Sequence, residues 1–109
     1  MSCEKNGCEL HGWASRFQNY FKALHCPTRW LIIGIIGDDE KSTSTIFEGL
    51  RDEGEQLARS SLYYHLSELE KAGIIELAKY KEAGGGAPEK MWRLKVKEIK
   101  VDLLNPPRS

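Results

Sequence analysis

A mainly helical α+β domain, four helices followed by a two-stranded β-hairpin, is the fold class this 109-residue sequence predicts. Three observations carry it. Apolar residues recur at helical spacing in four stretches between Trp13 and Ala72. The period drops to two after Gly73. A glycine-rich segment, EAGGGAPE, then separates an outgoing strand from a returning one. The length suits a single domain, large enough to fold without disulfides or metals. Residues 13–104 are read as that domain, 1–12 as a loose arm without either period, and 105–109, NPPRS, as a disordered tail.

The first helix rests on Trp13, Phe17, Tyr20, Phe21 and Leu24. His25-Cys26 interrupts it, and Pro27 suits the first turn of a second helix, where its missing N–H would have no intrahelical partner. That helix, about 27–36, carries Trp30, Leu31, Ile32, Ile33, Ile35 and Ile36 around nearly all its faces. It must therefore be buried by the rest of the fold or by a second subunit. Gly37-Asp38-Asp39 is a turn. Ser42 or Thr43 caps a third helix bearing Ile46, Phe47 and Leu50, closed by Asp52-Glu53-Gly54-Glu55. The fourth helix, about 59–72, places Leu62, Leu66 and Leu69 on one stripe, with Gly73 as its C-terminal cap. In the hairpin, about 74–96, Ile75 and Leu77 alternate with Glu76 and Ala78, and Trp92, Leu94 and Val96 with Arg93 and Lys95. Gly84, Gly85 and Gly86 form its tip.

Sixteen Lys and Arg balance sixteen Asp and Glu, so net charge names no partner. The distribution says more. Residues 38–55 are acidic, whereas 79–100 carry Lys79, Lys81, Lys90, Arg93, Lys95, Lys97 and Lys100. The longest apolar run, WLIIGIIG, is too short to span a bilayer, and MSCEKNGCEL lacks the apolar stretch of a signal peptide. Three cysteines in that context predict free thiols or metal ligands in a reducing cytoplasm. No phosphate-binding glycine loop, carboxylate pair or nucleophile–base constellation appears, so no enzyme is expected.

A short helix, a turn, an amphipathic helix and a basic hairpin together make a winged helix-turn-helix. A helix fits the major groove of B-DNA and reads it with its N-terminal residues, while the hairpin meets the backbone or the minor groove. Projected at about 100° per residue, Ser60, Tyr64, Ser67 and Lys71 lie opposite the leucine stripe, with Tyr63 on the flank. Phenol hydroxyls can bond phosphate, and Arg59 can take guanine or phosphate bidentately. Lys79, Lys81, Lys90 and Arg93 are the phosphate candidates of the hairpin. His65 borders the leucines and reads as a partly buried residue bonded to a neighbour. Trp92 and Leu94 read as core beneath the hairpin.

SSLYYHLSELEKAGIIE followed by GGGAPEKMWRL resembles the recognition helix and wing of ArsR-type transcriptional regulators, particularly small archaeal members. The related PadR and MarR groups share much of the pattern. ALHCPTRWLIIGII is similar to the opening segment of that family, and the resemblance spans about 17–96. It implies a homodimer on a pseudo-palindromic operator of double-stranded DNA, joined through helix one and the C-terminal segment. It also implies that Arg59, Ser60, Ser61, Tyr63 and Tyr64 read DNA.

Two departures stand out. The Cys-x-Cys metal site known in the family has no counterpart in TIFEGLRDEG, and no His or Cys follows His65. What remains is Cys3, Cys8 and His11 in the arm with Cys26 at the first helix junction, a set that suits tetrahedral zinc. His25 can replace one ligand, and a redox pair or three plain thiols fit equally. Asp52, Glu53 and Glu55 must point away from DNA or weaken its binding. The competing expectation is a winged-helix module that docks a protein and binds no DNA.

Overall fold

The computed structural model describes residues 13–82, 88–100 and 103–104, with side chains from Phe17 onward. The arm, the tail and the glycine tip expected from the sequence lie outside the described residues.

Helix α1 (Trp13–Leu24) meets α2 (Pro27–Ile36) at a corner made by Cys26, which is extended at φ −142° and ψ 117°. The last carbonyls of a helix have no intrahelical partner. Here α2 supplies them. Arg29 Nη1 donates to the Ala23 carbonyl at 3.1 Å, and Trp30 Nε1 donates to the Leu24 carbonyl at 2.8 Å. After α2 the chain turns at Gly37, whose φ of +58° is in the left-handed region, and enters a short strand, β1 (Lys41–Ser42). Ser42 caps α3 (Thr43–Asp52), its Oγ accepting the Thr45 N–H at 3.1 Å.

Both remaining helices end in the same way. At the end of α3, the Glu55 N–H reaches the Leu50 carbonyl and the Gly54 N–H that of Arg51, both at 2.9 Å. At the end of α4 (Arg59–Lys71), the Ile74 N–H reaches the Leu69 carbonyl and the Gly73 N–H that of Glu70, both at 3.0 Å. This paired pattern needs a left-handed residue, and Gly54 and Gly73 supply φ of +93° and +82°.

Strands β2 (Ile75–Lys81) and β3 (Glu89–Leu94) form the expected antiparallel hairpin. The sheet has a third strand, in the order β1-β3-β2, because Lys41 pairs with Trp92 and Ser42 with Met91. Two residues are too short to show a period, so the sequence offered only a turn and a cap there. A bulge at Ala78 also shifts the register, with Leu77 opposite Trp92 and Lys79 opposite Met91. Tyr80 therefore joins the face of Ile75, Leu77 and Trp92, and Lys79 joins that of Glu76 and Arg93. Strict alternation would have reversed this.

Ile32 and Ile36 of α2, Ile46 and Leu50 of α3, and Leu62, Leu66 and Leu69 of α4 close a core completed by Ala23, Ile74, Ile75 and Trp92. Leu31, Ile33 and Ile35 pack against it only in part, and Trp30 is exposed. The fold thus buries one side of α2, not its whole circumference. No described helix is long and apolar enough to cross a membrane.

Truncating the fully buried Leu69 to Ala should cost about 2–5 kcal/mol in urea unfolding, through lost transfer energy and a cavity. Gly73→Ala has open space for its methyl and should cost only about 1–2 kcal/mol, through its left-handed backbone.

Candidate nucleic-acid interface

Burying the leucine stripe turns the opposite side of α4 outward. Tyr63 and Tyr64 are 54% and 59% exposed, and Arg59, Ser60 and Ser61 are exposed in the first turn. The Arg59 guanidinium lies 4.5 Å from the centroid of the Phe47 ring on α3, an attraction between a cation and the negative face of a ring. This holds the first residue of α4 against the preceding helix.

On the other flank, α2 reaches α4 through Arg29. Its side chain is buried, at 8% exposure, and Nε donates to His65 Nδ1 at 3.0 Å. The same guanidinium lies 5.7 Å from the Tyr64 ring centroid. Accepting at Nδ1 requires His65 to be neutral, with its proton on Nε2. Burial lowers the His65 pKa, the Arg29 charge lowers it further, and Glu55 opposes both. The expectation that His65 bonds a neighbour holds. Arg29 itself was not singled out, although it is the one cation inside the apolar run PTRWLIIGII.

Between α4 and the sheet runs a groove of about 690 Å³, lined among others by Ser44, Arg59, Tyr63, Glu70, Glu89 and Lys90. The Trp92 indole forms its floor, with Nε1 donating to Thr43 Oγ1 at 3.1 Å and Lys90 Nζ lying 5.6 Å from its ring. Glu89 Oε2 accepts the Ser44 N–H at 2.7 Å. Hydrogen bonding from Ser44 holds the Glu89 carboxyl below the usual range against some desolvation, with help from Lys81 and Arg59.

The hairpin cations divide into two sets. Lys79 Nζ lies 3.5 Å from Glu40 Oε1, and Arg93 is bonded to Glu76 at 2.7 Å and lies 3.6 Å from Glu40. These pairs stand on the sheet face away from Trp92, so Lys79 and Arg93 are not brought to the α4 groove. Lys90 is, and no ion pair among the described residues engages Arg59, Lys81 or Lys90. Glu55 turns toward α2 and accepts from Thr28 Oγ1 at 3.1 Å, while Asp52 and Glu53 sit at the far end of α3 from Ser44. Ten helical residues separate the two ends by about 15 Å.

Of the zinc candidates, Cys3, Cys8 and His11 lie outside the described residues. Cys26 is a half-buried free thiol before α2. Among the described residues no group of His, Cys, Asp and Glu could hold a metal ion. A second surface is apolar: Phe17, Tyr20, Phe21, Leu24 and Trp30 line a groove with His25 and Ile99. The Phe17 and Phe21 rings pack tilted at 44° with centroids 4.6 Å apart, and Phe21 and Trp30 are 63% and 55% exposed.

No family model matches this chain, and no curated protein does. Solved structures share its fold. Reduced HlyU from Vibrio cholerae is 23% identical with a TM-score of 0.60, the match covering 76% of each chain. An ArsR-like transcriptional regulator from Rhodococcus sp. RHA1 is 25% identical with a TM-score of 0.52, over 73% of this chain and 65% of that one. The homodimeric winged helix-turn-helix DNA-binding domain of a possible ArsR-family regulator from Mycobacterium bovis is 17% identical with a TM-score of 0.55, over 75% and 66%. The chain has the winged helix-turn-helix fold, with α3 and α4 as the helix pair and β2–β3 as the wing.

Because the fold lowers the His65 pKa, it favours neutral imidazole. That stability is whole above the ordinary value of 6.5 and is lost as pH falls through the lowered one. The melting temperature should therefore drop on acidification below 6.5. In His65→Gln, whose amide oxygen can still accept from Arg29, this part of the drop should vanish. An unchanged pH profile in the variant would show that His65 contributes none of it.

Proposed function

We propose that this chain is a sequence-specific DNA-binding transcriptional regulator acting as a homodimer, with residues 59–72 in the major groove and the wing, 74–96, on the backbone or minor groove. One observation carries the reading. The first turns of α4 expose Arg59, Ser60, Ser61, Tyr63 and Tyr64, with Ser60 and Tyr64 opposite its buried leucines, beside a groove edged by Lys90. Residues at the start of a recognition helix are those that reach base edges and phosphates.

Within it, Arg59 reads guanine or clamps phosphate. Tyr63 and Tyr64 offer hydroxyls to phosphate and rings to sugar or a thymine methyl. Lys81 and Lys90 are the wing's phosphate contacts. Lys79 and Arg93 contribute only by exchanging Glu40 and Glu76 for phosphate, a smaller net gain. Phe17, Phe21, Trp30 and Ile99 supply an apolar contact for the second subunit, bringing α1 and the C-terminal segment to one surface. Its exposed aromatic rings also favour the alternative, a winged-helix module that docks a different protein and leaves DNA alone.

Fluorescence anisotropy on a pool of genomic fragments at two salt concentrations, with selection of the bound sequences, separates the two. A regulator should recover a palindrome-like site whose binding weakens steeply with salt. Arg59→Ala should then cost about 1–3 kcal/mol on that site and relax its sequence preference. Lys90→Ala should weaken all sequences alike and lower the salt slope by about 1. Absence of binding even at low salt would favour the docking module.

A further inference from the structure

We propose that Glu89 is an internal competitor for DNA phosphate: the wing lays its carboxylate on the N-terminus of α3, where the backbone of a bound duplex has to pass. The inference rests on the DNA-binding reading above and adds a restraint that the reading does not contain.

The local chemistry explains why an anion belongs there. Ser44 is the second residue of α3, and its N–H is one of the donors that a helix leaves unsatisfied. The Ser42 side chain serves Thr45, and the Ser44 N–H takes its partner from the wing. The positive end of the helix dipole, an aligned N–H and nearby cationic side chains favour negative charge. Arg59 and Lys90 line the same groove, and Lys81 adds its field at Glu89. Glu89 meets this demand from within the chain, at the short distance of 2.7 Å expected of a charged acceptor.

The position matters because of how helix pairs dock. When the second helix enters the major groove, the first crosses the phosphate backbone. The duplex strand that separates the two grooves then runs between α4 and the wing, along the groove that holds Glu89. A phosphate and the Glu89 carboxylate cannot share one donor, and at close range they repel. The wing must lift Glu89 away before the strand seats fully. This contact also fastens β3 to α3 in the free protein, beside the Trp92–Thr43 bond. Binding therefore exchanges an internal anion for an external one.

The test compares Glu89→Gln and Glu89→Ala with Glu70→Gln, which removes the same charge from the same groove but away from the α3 terminus. Titrated with one duplex at low salt, both Glu89 variants should bind about tenfold more tightly than the unchanged chain, and Glu70→Gln within about twofold of it. In the unchanged chain, the Ser44 amide resonance should move when duplex is added, as Glu89 leaves it. Equal gains from Glu70 and Glu89 variants would overturn the proposal, since only general charge would then matter. A Ser44 amide that stays still while DNA binds would overturn it as well. If no variant binds any duplex, the DNA-binding reading itself falls and the restraint with it.

Discussion

Burial of Leu62, Leu66 and Leu69 is the constraint on which the rest depends. A helix has only one rotational setting that hides all three, and that setting decides what α4 shows to the outside. Ser60 and Tyr64 are outside because the leucines are inside, and Arg59 and Tyr63 are exposed on the flank of the stripe. The surrounding contacts refine the setting. Phe47 holds Arg59 from the α3 side, and Arg29 holds His65 from the α2 side. Arg29 does more than that, since it also takes the Ala23 carbonyl and so joins α1, α2 and α4 through one buried guanidinium. A neutral histidine is the partner that lets that cation stay buried without a carboxylate.

The helices were legible from sequence because their signals are local. Pro27 opens α2, Ser42 caps α3, and Gly73 closes α4 in the left-handed conformation. Periodicity and capping need no knowledge of distant residues. The parts that stayed hidden depend on pairing across the chain. Strand β1 exists because Lys41 and Ser42 meet Trp92 and Met91. The bulge at Ala78 has no mark in KEAGGG or IELAKY, yet it decides which side of the wing carries Lys79.

The same reason limits what composition could say about the interface. The basic stretch from 79 to 100 offers Lys79, Lys81, Lys90 and Arg93 as phosphate candidates without ranking them. The structure sorts those cations by what faces them. Glu40 and Glu76 occupy Lys79 and Arg93, while Lys90 lies by the α4 groove. The acidic residues of 38–55 are divided likewise: Glu40 pairs with Lys79 before α3, Glu55 bonds Thr28 of α2, and Asp52 and Glu53 stand at the C-terminal end of α3. Ion pairing and helix length, neither visible as a charge count, make the difference. Glu89 belongs to the same lesson: one acid in a basic stretch sits where an anion is wanted.

On the proposed function, the outward side of α4 is the working surface and the α1 aromatic groove the contact between subunits. Backbone chemical-shift mapping with a bound duplex tests that assignment most directly. It predicts that the amides of residues 59–64 and of the β3 strand near Lys90 move on titration, while those around Phe17 and Trp30 keep their positions. Shifts concentrated around Phe17, Phe21 and Trp30, with residues 59–64 unmoved, would contradict it.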